Sequence, residues 1–381
     1  MVRRLETLEE LGAQVLSDLN PAAAHGLPWL CDDIGTRVLL SDYLVGALAT
    51  ASQAFREAGH ALDGLVTALR AFETRTLGHL RSTGGTELVP PPSSASERED
   101  LDRDAAITEF FRAIGTLMDN MAAAVAIVGA LDLDVVHRFT WPSLENALRK
   151  WQTAGLLLPE QAVLAGRTLT AVERAGPDGW LTWALAMRNM LVHRPRRLWL
   201  VNLVRERSLQ GSIVGIRARI LLPSKPAATD IEVMRWGGEL TAAVINESAD
   251  DLMRSVVRSL EGSVSEIARA LLDLYGRRAT NDTQLIQPLR QWRGNEDFPP
   301  SSGTLFRGYA PEPTLDVDAL LTGPDMAARL AASAVTDSHR DRWLPWMAAT
   351  AERKTHAEAT ASAEKERRRQ EKRALKRQQP Q

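Results

Sequence analysis

The sequence predicts a mainly α protein: a helical bundle with a small antiparallel β insert, an N-terminal helical arm and a C-terminal charged helical tail. Three observations predict it. Long stretches repeat apolar residues at helical spacing, above all Ile107, Phe110, Phe111, Ile114, Leu117, Met118, Met121, Val125 and Val128. Only one stretch, at about 198–237, turns to short β-branched or alternating runs separated by Gly, Pro and Ser. The composition, 44% hydrophobic and 25% charged over 381 residues, supplies a core and argues against disorder for most of the chain.

The arm, residues 1–85, holds helical segments at 5–19 and 36–81. In the second, Leu40, Leu44, Ala47, Ala51, Ala54 and Ala58 fall on one face. Most are small and allow close helix approach, so this face is expected to pack on a partner. Gly84, Gly85 and Pro90 to Pro92 predict a linker at 86–100. A bundle over 101–280 comes next, with helices at 101–131, 142–153, 159–174, up to His193, and 250–277. The first is preceded by an acidic run that suits a helix N-terminus. GPDGW at 176–180 reads as a turn, and Pro195 stops the helix before it. Strands are expected at 198–204, 216–222 and 230–236. An irregular extension with short helices, 281–350, leads to the tail, 351–381.

Charge is unevenly spread. The tail carries ten basic and five acidic residues, a net of +5, so the remainder carries −7 of the overall −2. Such a tail suits a solvated helix or an arm drawn to an acidic surface. The near-neutral whole excludes a uniformly basic nucleic-acid binder. Cys31 is the only cysteine, which excludes an intramolecular disulfide and a multi-cysteine zinc site. With no run of about 18 apolar residues and no apolar leader, a cytoplasmic protein with no membrane contact is expected.

Familiar chemical motifs are missing. No GxxxxGK[ST] loop, GxGxxG turn, HExxH pair or GxSxG elbow occurs. Asp337, His339 and Asp341 alternate, but on a helix that spacing scatters ligands around the axis. No metal and no cofactor is therefore expected.

One segment stands apart, WLTWALAMRNMLVHRPRR at 180–197. At about 100° per residue, Trp180, Trp183, Ala184, Met187, Met190 and Leu191 share a face. Leu181, Leu185, Arg188 and Val192 form a second stripe roughly 130° away. A helix apolar on two sides is expected to be buried on two sides. Arg188 lies in that second stripe, where a guanidinium needs an anion, either a carboxylate or a ligand phosphate. Asn189 and His193, four apart, share the next sector.

RNMLVH at 188–193 resembles the signature of HEPN domains, an arginine followed by a polar residue and then a histidine, with four to six positions between arginine and histidine. Among the arginines, Arg188 alone stands at that distance from a later histidine. The resemblance covers the bundle and not the arm or the tail. It implies an all-helical fold and a metal-independent endoribonuclease, in a toxin–antitoxin or phage-defence setting. Arg188, Asn189 and His193 would be catalytic. His193 would act as general base or acid near neutral pH, Arg188 would grip the phosphate, and Asn189 would orient either. Products would carry 2′,3′-cyclic phosphate and 5′-hydroxyl ends. Arg194, Arg196 and Arg197 could guide the RNA backbone, and Asp119 and Asn120 are candidate supporting partners.

The expected partners are RNA, a second copy of the chain, and an antitoxin or another protein. A homodimer is expected because one site has one histidine, and because an open Leu181/Leu185/Val192 stripe would need cover. The competing reading is an inactive HEPN-like dimerisation or interaction module that binds a protein partner or a nucleotide ligand.

Overall fold

The structure, a computed structural model, describes residues 5–18, 34–84, 91–131, 139–193, 200–208, 213–226 and 243–280. Among them are seven helices and one three-stranded sheet, so the chain is mainly α with a small antiparallel insert. The extension at 281–350, the tail, and the strand expected at 230–236 lie outside the described residues. Residues 1–12 and 46–280 form one compact unit, and 13–45 with 281–381 form another. In the second unit the described parts are helical, with Val15, Leu40 and Leu44 buried. The first unit holds the bundle, the sheet and the RNMLVH segment.

Helices α1 (Glu6–Asp18) and α2 (Ile34–Ser82) match the segments expected for the arm. The small-residue face of α2, Ala47, Ala51, Ala54 and Ala58, is buried within the chain itself, so it needs no external partner. An ideal Cβ on Gly12 of α1 would lie 3.8 Å from Leu48 Cβ. Small residues bring the backbones this close, and the chain's own helices then fill the space.

Helix α3 (Ser94–Gly129) is the centre of the unit. It begins inside the stretch expected as linker because Ser93 caps it. Ser93 Oγ accepts from the Ser96 N–H at 3.2 Å, and Ser96 Oγ accepts from the Ser93 N–H at 2.8 Å, a reciprocal capping box. It runs antiparallel to α2, tied by Arg112 to Glu57 at 3.1 Å and by Arg75 to Glu99 at 2.9 Å. From Ala106 to Gly129 nearly every turn is buried all round, as expected of a helix surrounded by others. By length and composition alone, one 18-residue window of α3 is apolar enough to cross a membrane, with mean hydropathy 1.3. Of that window 78% is buried inside the chain's own fold.

The carbonyls that end α3 have unusual partners. Gln161 Nε2, on α5 (Pro159–Ala175), donates to Gly129 O and Ala130 O at 3.0 Å each. Arg278, near the end of α7 (Ala249–Thr280), donates to Val128 O. A helix C-terminus exposes orphan carbonyls with partial negative charge, and a cation and an amide satisfy them here. Burial pulls the Arg278 guanidinium below its ordinary value, opposed by the Glu160 carboxylate at 3.5 Å.

Helix α4 (Trp141–Thr153) packs on α3 and α5. Arg167 of α5 bridges Glu266 at 3.1 Å and Asp273 at 2.7 Å on α7. The expected GPDGW turn forms, with the Trp180 N–H on Pro177 O at 3.1 Å. Gly179 takes φ 77°, a value that favours glycine. Helix α6 (Trp180–His193) starts there.

The sheet has order β1 (Leu200–Arg207), β2 (Ile213–Pro223), β3 (Val244–Ser248), all antiparallel. Among the described residues the third strand therefore lies at 244–248. It runs straight into α7, which a sequence pattern broken by Gly237 and Gly238 did not suggest. On β2, Ile216, Ala218, Ile220 and Leu222 alternate inward and are buried.

Candidate functional site

Helix α6 lies on α3, and the expected core face of α6 is the face that meets it. Ala184, Met187 and Met190 are buried, and Trp183 stands edge-on to Phe111 with centroids 5.5 Å apart. Trp183 also donates its Nε1–H to Pro223 O at 3.0 Å, so it joins α6 to the end of β2. An indole placed this way satisfies its one donor while packing its rings. Leu191, expected in the core face, is only half-buried.

The second stripe does not form an open apolar surface. Leu181 and Leu185 are buried within the single chain, and only Val192, near the helix end, is exposed. The stripe therefore gives no reason for a second copy to cover it. Two-sided burial of α6 holds, but both sides are met by the chain's own elements.

Arg188 is placed with more constraint than its sequence position suggested. Its Nη1 lies 3.4 Å from Asp119 Oδ2 on α3, and its side chain remains 34% exposed. Its stem crosses directly over Gly115, one turn before Asp119. A Cβ at Gly115 would stand 2.4 Å from Arg188 Cδ and 2.6 Å from Nε, closer than any real contact. Glycine here is a matter of space, since it gives the arginine a bed against the α3 backbone. Sequence reasoning missed Gly115, although an isolated glycine inside a strongly helical run is the kind of signal that marks a close approach.

Asp119, named from the sequence as a supporting partner, does contact Arg188. Its other oxygen, Oδ1, accepts the backbone N–H of Trp141 at 2.9 Å, the first residue of α4. One carboxylate thus touches α3, α4 and α6, at a helix N-terminus where negative charge is favoured. Burial pushes the Asp119 carboxyl above its ordinary value. The Trp141 N–H and then the Arg188 charge pull it back part of the way. Asn120 does not join them, because its Nδ2 donates to Thr116 O at 2.8 Å on its own helix.

Asn189 follows Arg188 on the exposed side of α6. His193 is the last residue of α6, one turn beyond Asn189. The side chain of His193, and the whole of Arg194, Arg196 and Arg197, lie outside the described residues. The alternating Asp337, His339 and Asp341 do too. Among the described residues no three His, Cys, Asp or Glu side chains gather as a metal site would require.

The arrangement can hold an anion. Arg188 makes one contact to Asp119, at 3.4 Å, and keeps a third of its five-donor side chain exposed; Asn189, the next residue, is exposed as well. No protein-family model, curated protein or solved structure matches the chain.

Proposed function

We propose that this protein is a metal-independent endoribonuclease of HEPN type, acting in the cytoplasm. The observation that carries the reading is Arg188: bedded on Gly115, contacted by Asp119, and with about a third of its side chain in water. A phosphodiester passing over the end of α6 would meet this guanidinium, the Asn189 amide and, one turn on, the His193 imidazole. Arg188 would bind two phosphate oxygens and stabilise the extra charge of the phosphorane, a contribution on the order of 10²–10³ in rate. His193 would take the 2′-OH proton or supply the proton for the departing 5′-oxygen, worth about 10²–10⁴. The 2′-oxygen bonds to phosphorus as the P–O5′ bond breaks, leaving a 2′,3′-cyclic phosphate and a 5′-hydroxyl. Arg194, Arg196 and Arg197 would follow the RNA backbone. A second copy of the chain would supply the other proton transfer, and an antitoxin protein would fit a toxin or phage-defence role.

The Asp119–Arg188 pair also favours a second reading, a HEPN-like interaction module without catalysis. A carboxylate already serves as the arginine's anion, and the pair then fastens α6 to α3 and α4. The test is incubation of the purified chain with mixed RNA in EDTA, beside His193→Ala. The ribonuclease reading expects cleavage with cyclic phosphate ends by the wild type and loss of most of it in the variant. Equal cleavage by both, or none by the wild type, leaves the interaction module.

A further inference from the structure

The open strand edges of the sheet are treated differently. β3 is only five residues long and passes directly into α7. Where β2 runs beyond β3, α2 covers it: Glu73 Oε1 accepts the Ala218 N–H at 2.7 Å, and Arg81 Nη2 donates to Val214 O at 3.4 Å. Among the described residues the outer edge of β1 has no such cover. Among the described residues nothing pairs with it between 200 and 206. In an antiparallel strand every second residue turns its N–H and C=O outward, so this edge is a row of open donors and acceptors.

The two halves of β1 differ in turn. The C-terminal half, Arg205-Glu206-Arg207, carries three charges, and a register shift falls between Glu206 and Arg207. Charges and bulges are the devices that blunt an edge against pairing. The N-terminal half, Leu200-Val201-Asn202-Leu203-Val204, has neither charge nor proline. Val201 and Val204 are 39% and 40% exposed. Through its partner Ile220, Val201 belongs to the inward face of the sheet, yet the cover over that face gives out at β1.

This pentapeptide reads alike in both directions once Leu and Val are taken as equivalent. Antiparallel pairing with a copy of itself about Asn202 sets Val201 opposite Leu203, Leu203 opposite Val201, and Asn202 opposite Asn202. Both Val201 and Leu203 pair with inward-facing β2 residues, Ile220 and Ala218, so apolar side chains meet on one face across the join. Asn202 meets its counterpart on the other face, where two amides can exchange hydrogen bonds. Centring instead on Leu203 or Val204 would set Arg205 against Val201 or Leu203. The Asn202 register keeps the three charges out of the pairing while using all five residues from 200 to 204; centring on Val201 would use only three of them.

We infer that the outer edge of β1 is the docking surface for a second copy of this chain, joined about a two-fold axis at Asn202 to give one continuous six-stranded sheet. The interface is separate from α6 and does not depend on the ribonuclease reading. The test is a reciprocal charge change. Light scattering of the full chain over a concentration series should move from 41.9 kDa toward twice that mass. Asn202→Lys and Asn202→Asp each put like charges face to face on the axis and should stay at 41.9 kDa. Their equimolar mixture should recover the doubled mass. Asn202 is exposed, so both variants should keep the wild-type far-UV spectrum. A second measurement covers the case in which they do not. In a Cys31→Ser background, Asn202→Cys should oxidise to a covalent dimer, since directly opposed antiparallel residues lie about 4.5–5.5 Å apart at Cα. Arg205→Cys, six positions out of register, should not. A wild type at 41.9 kDa throughout overturns the proposal, and a segment of this chain or another protein then occupies the edge. A dimer indifferent to both charges, or one that cross-links equally at 205, overturns it as well.

Discussion

Two arginines reach α3 from neighbouring helices, and they are used in opposite ways. Arg278 is almost wholly buried, donates to Val128 O and stands 3.5 Å from Glu160. It closes the C-terminal end of α3. Arg188 keeps a third of its side chain in water and makes one 3.4 Å contact to Asp119. Burying a charge is costly unless good partners surround it, so Arg278 is explained by the fold that it completes. Arg188 is not explained that way. A glycine lies beneath it, and its contact with Asp119, at 3.4 Å, is longer than a close charge-assisted hydrogen bond. A bedded, partly exposed arginine suits a ligand, whereas one capping carbonyls suits stability.

The largest expected effect concerns the frame that both arginines share. Met187→Ala, fully buried between α6 and α3, should lower unfolding free energy by about 2–5 kcal/mol in a urea titration. Arg278→Ala comes next. It leaves Val128 O without its donor in a buried setting, at a cost of about 1–3 kcal/mol. Amide exchange should show the loss concentrated at the end of α3. If exchange there is unchanged, Arg278 is not the cap described.

Asp119→Asn sharpens the contrast through pH. The amide oxygen can still accept the Trp141 N–H, but the buried charge is gone. Burial holds the folded carboxyl above its unfolded value, so between those two values the native state binds the proton more tightly. Stability then falls as pH rises through the folded value and is regained as pH drops toward the unfolded one. The wild-type thermal midpoint should therefore rise relative to that of Asp119→Asn as the solution is acidified from neutrality. A wild-type midpoint that falls relative to the variant's would mean that the pair with Arg188, not burial, dominates this carboxyl.

Gly115→Ala has the smallest effect on stability. A methyl there must displace the Arg188 stem, which is flexible and partly exposed, while the helix gains about 0.5–1 kcal/mol from losing a glycine. The midpoint should stay within a few degrees of wild type, while RNA binding should weaken, as it should in Arg188→Ala.

Most of the helical frame was legible in the sequence because period-3.6 apolar runs, Pro142, Pro159 and the GPDGW turn all point the same way, whereas Ser93, read as linker, hid the start of α3. The faces were less legible. The pattern of α6 showed two apolar sides but could not say that this same chain covers Leu181 and Leu185, which is a matter of long-range packing. The alanine face of α2 misled for the same reason. The strand at Val244–Ser248 was not legible because it is short and leads directly into a helix, so its pattern merges with the helical one. At the site, Arg188 and its need for an anion were visible, and Asp119 was within reach of inference. Gly115 was not, because its role appears only when another helix lies across it.

The central claim is that the placement of Arg188 over Gly115, not merely its charge, makes this edge of α6 a phosphate site. The direct measurement is the rate of RNA cleavage in EDTA by wild type, Arg188→Lys and Gly115→Ala, with circular dichroism confirming that all three are folded. The account predicts cleavage by the wild type and a loss of about 10²-fold or more in both variants, because an ammonium cannot make the bidentate contact and a displaced guanidinium cannot reach it. Wild-type rates in both variants would contradict it.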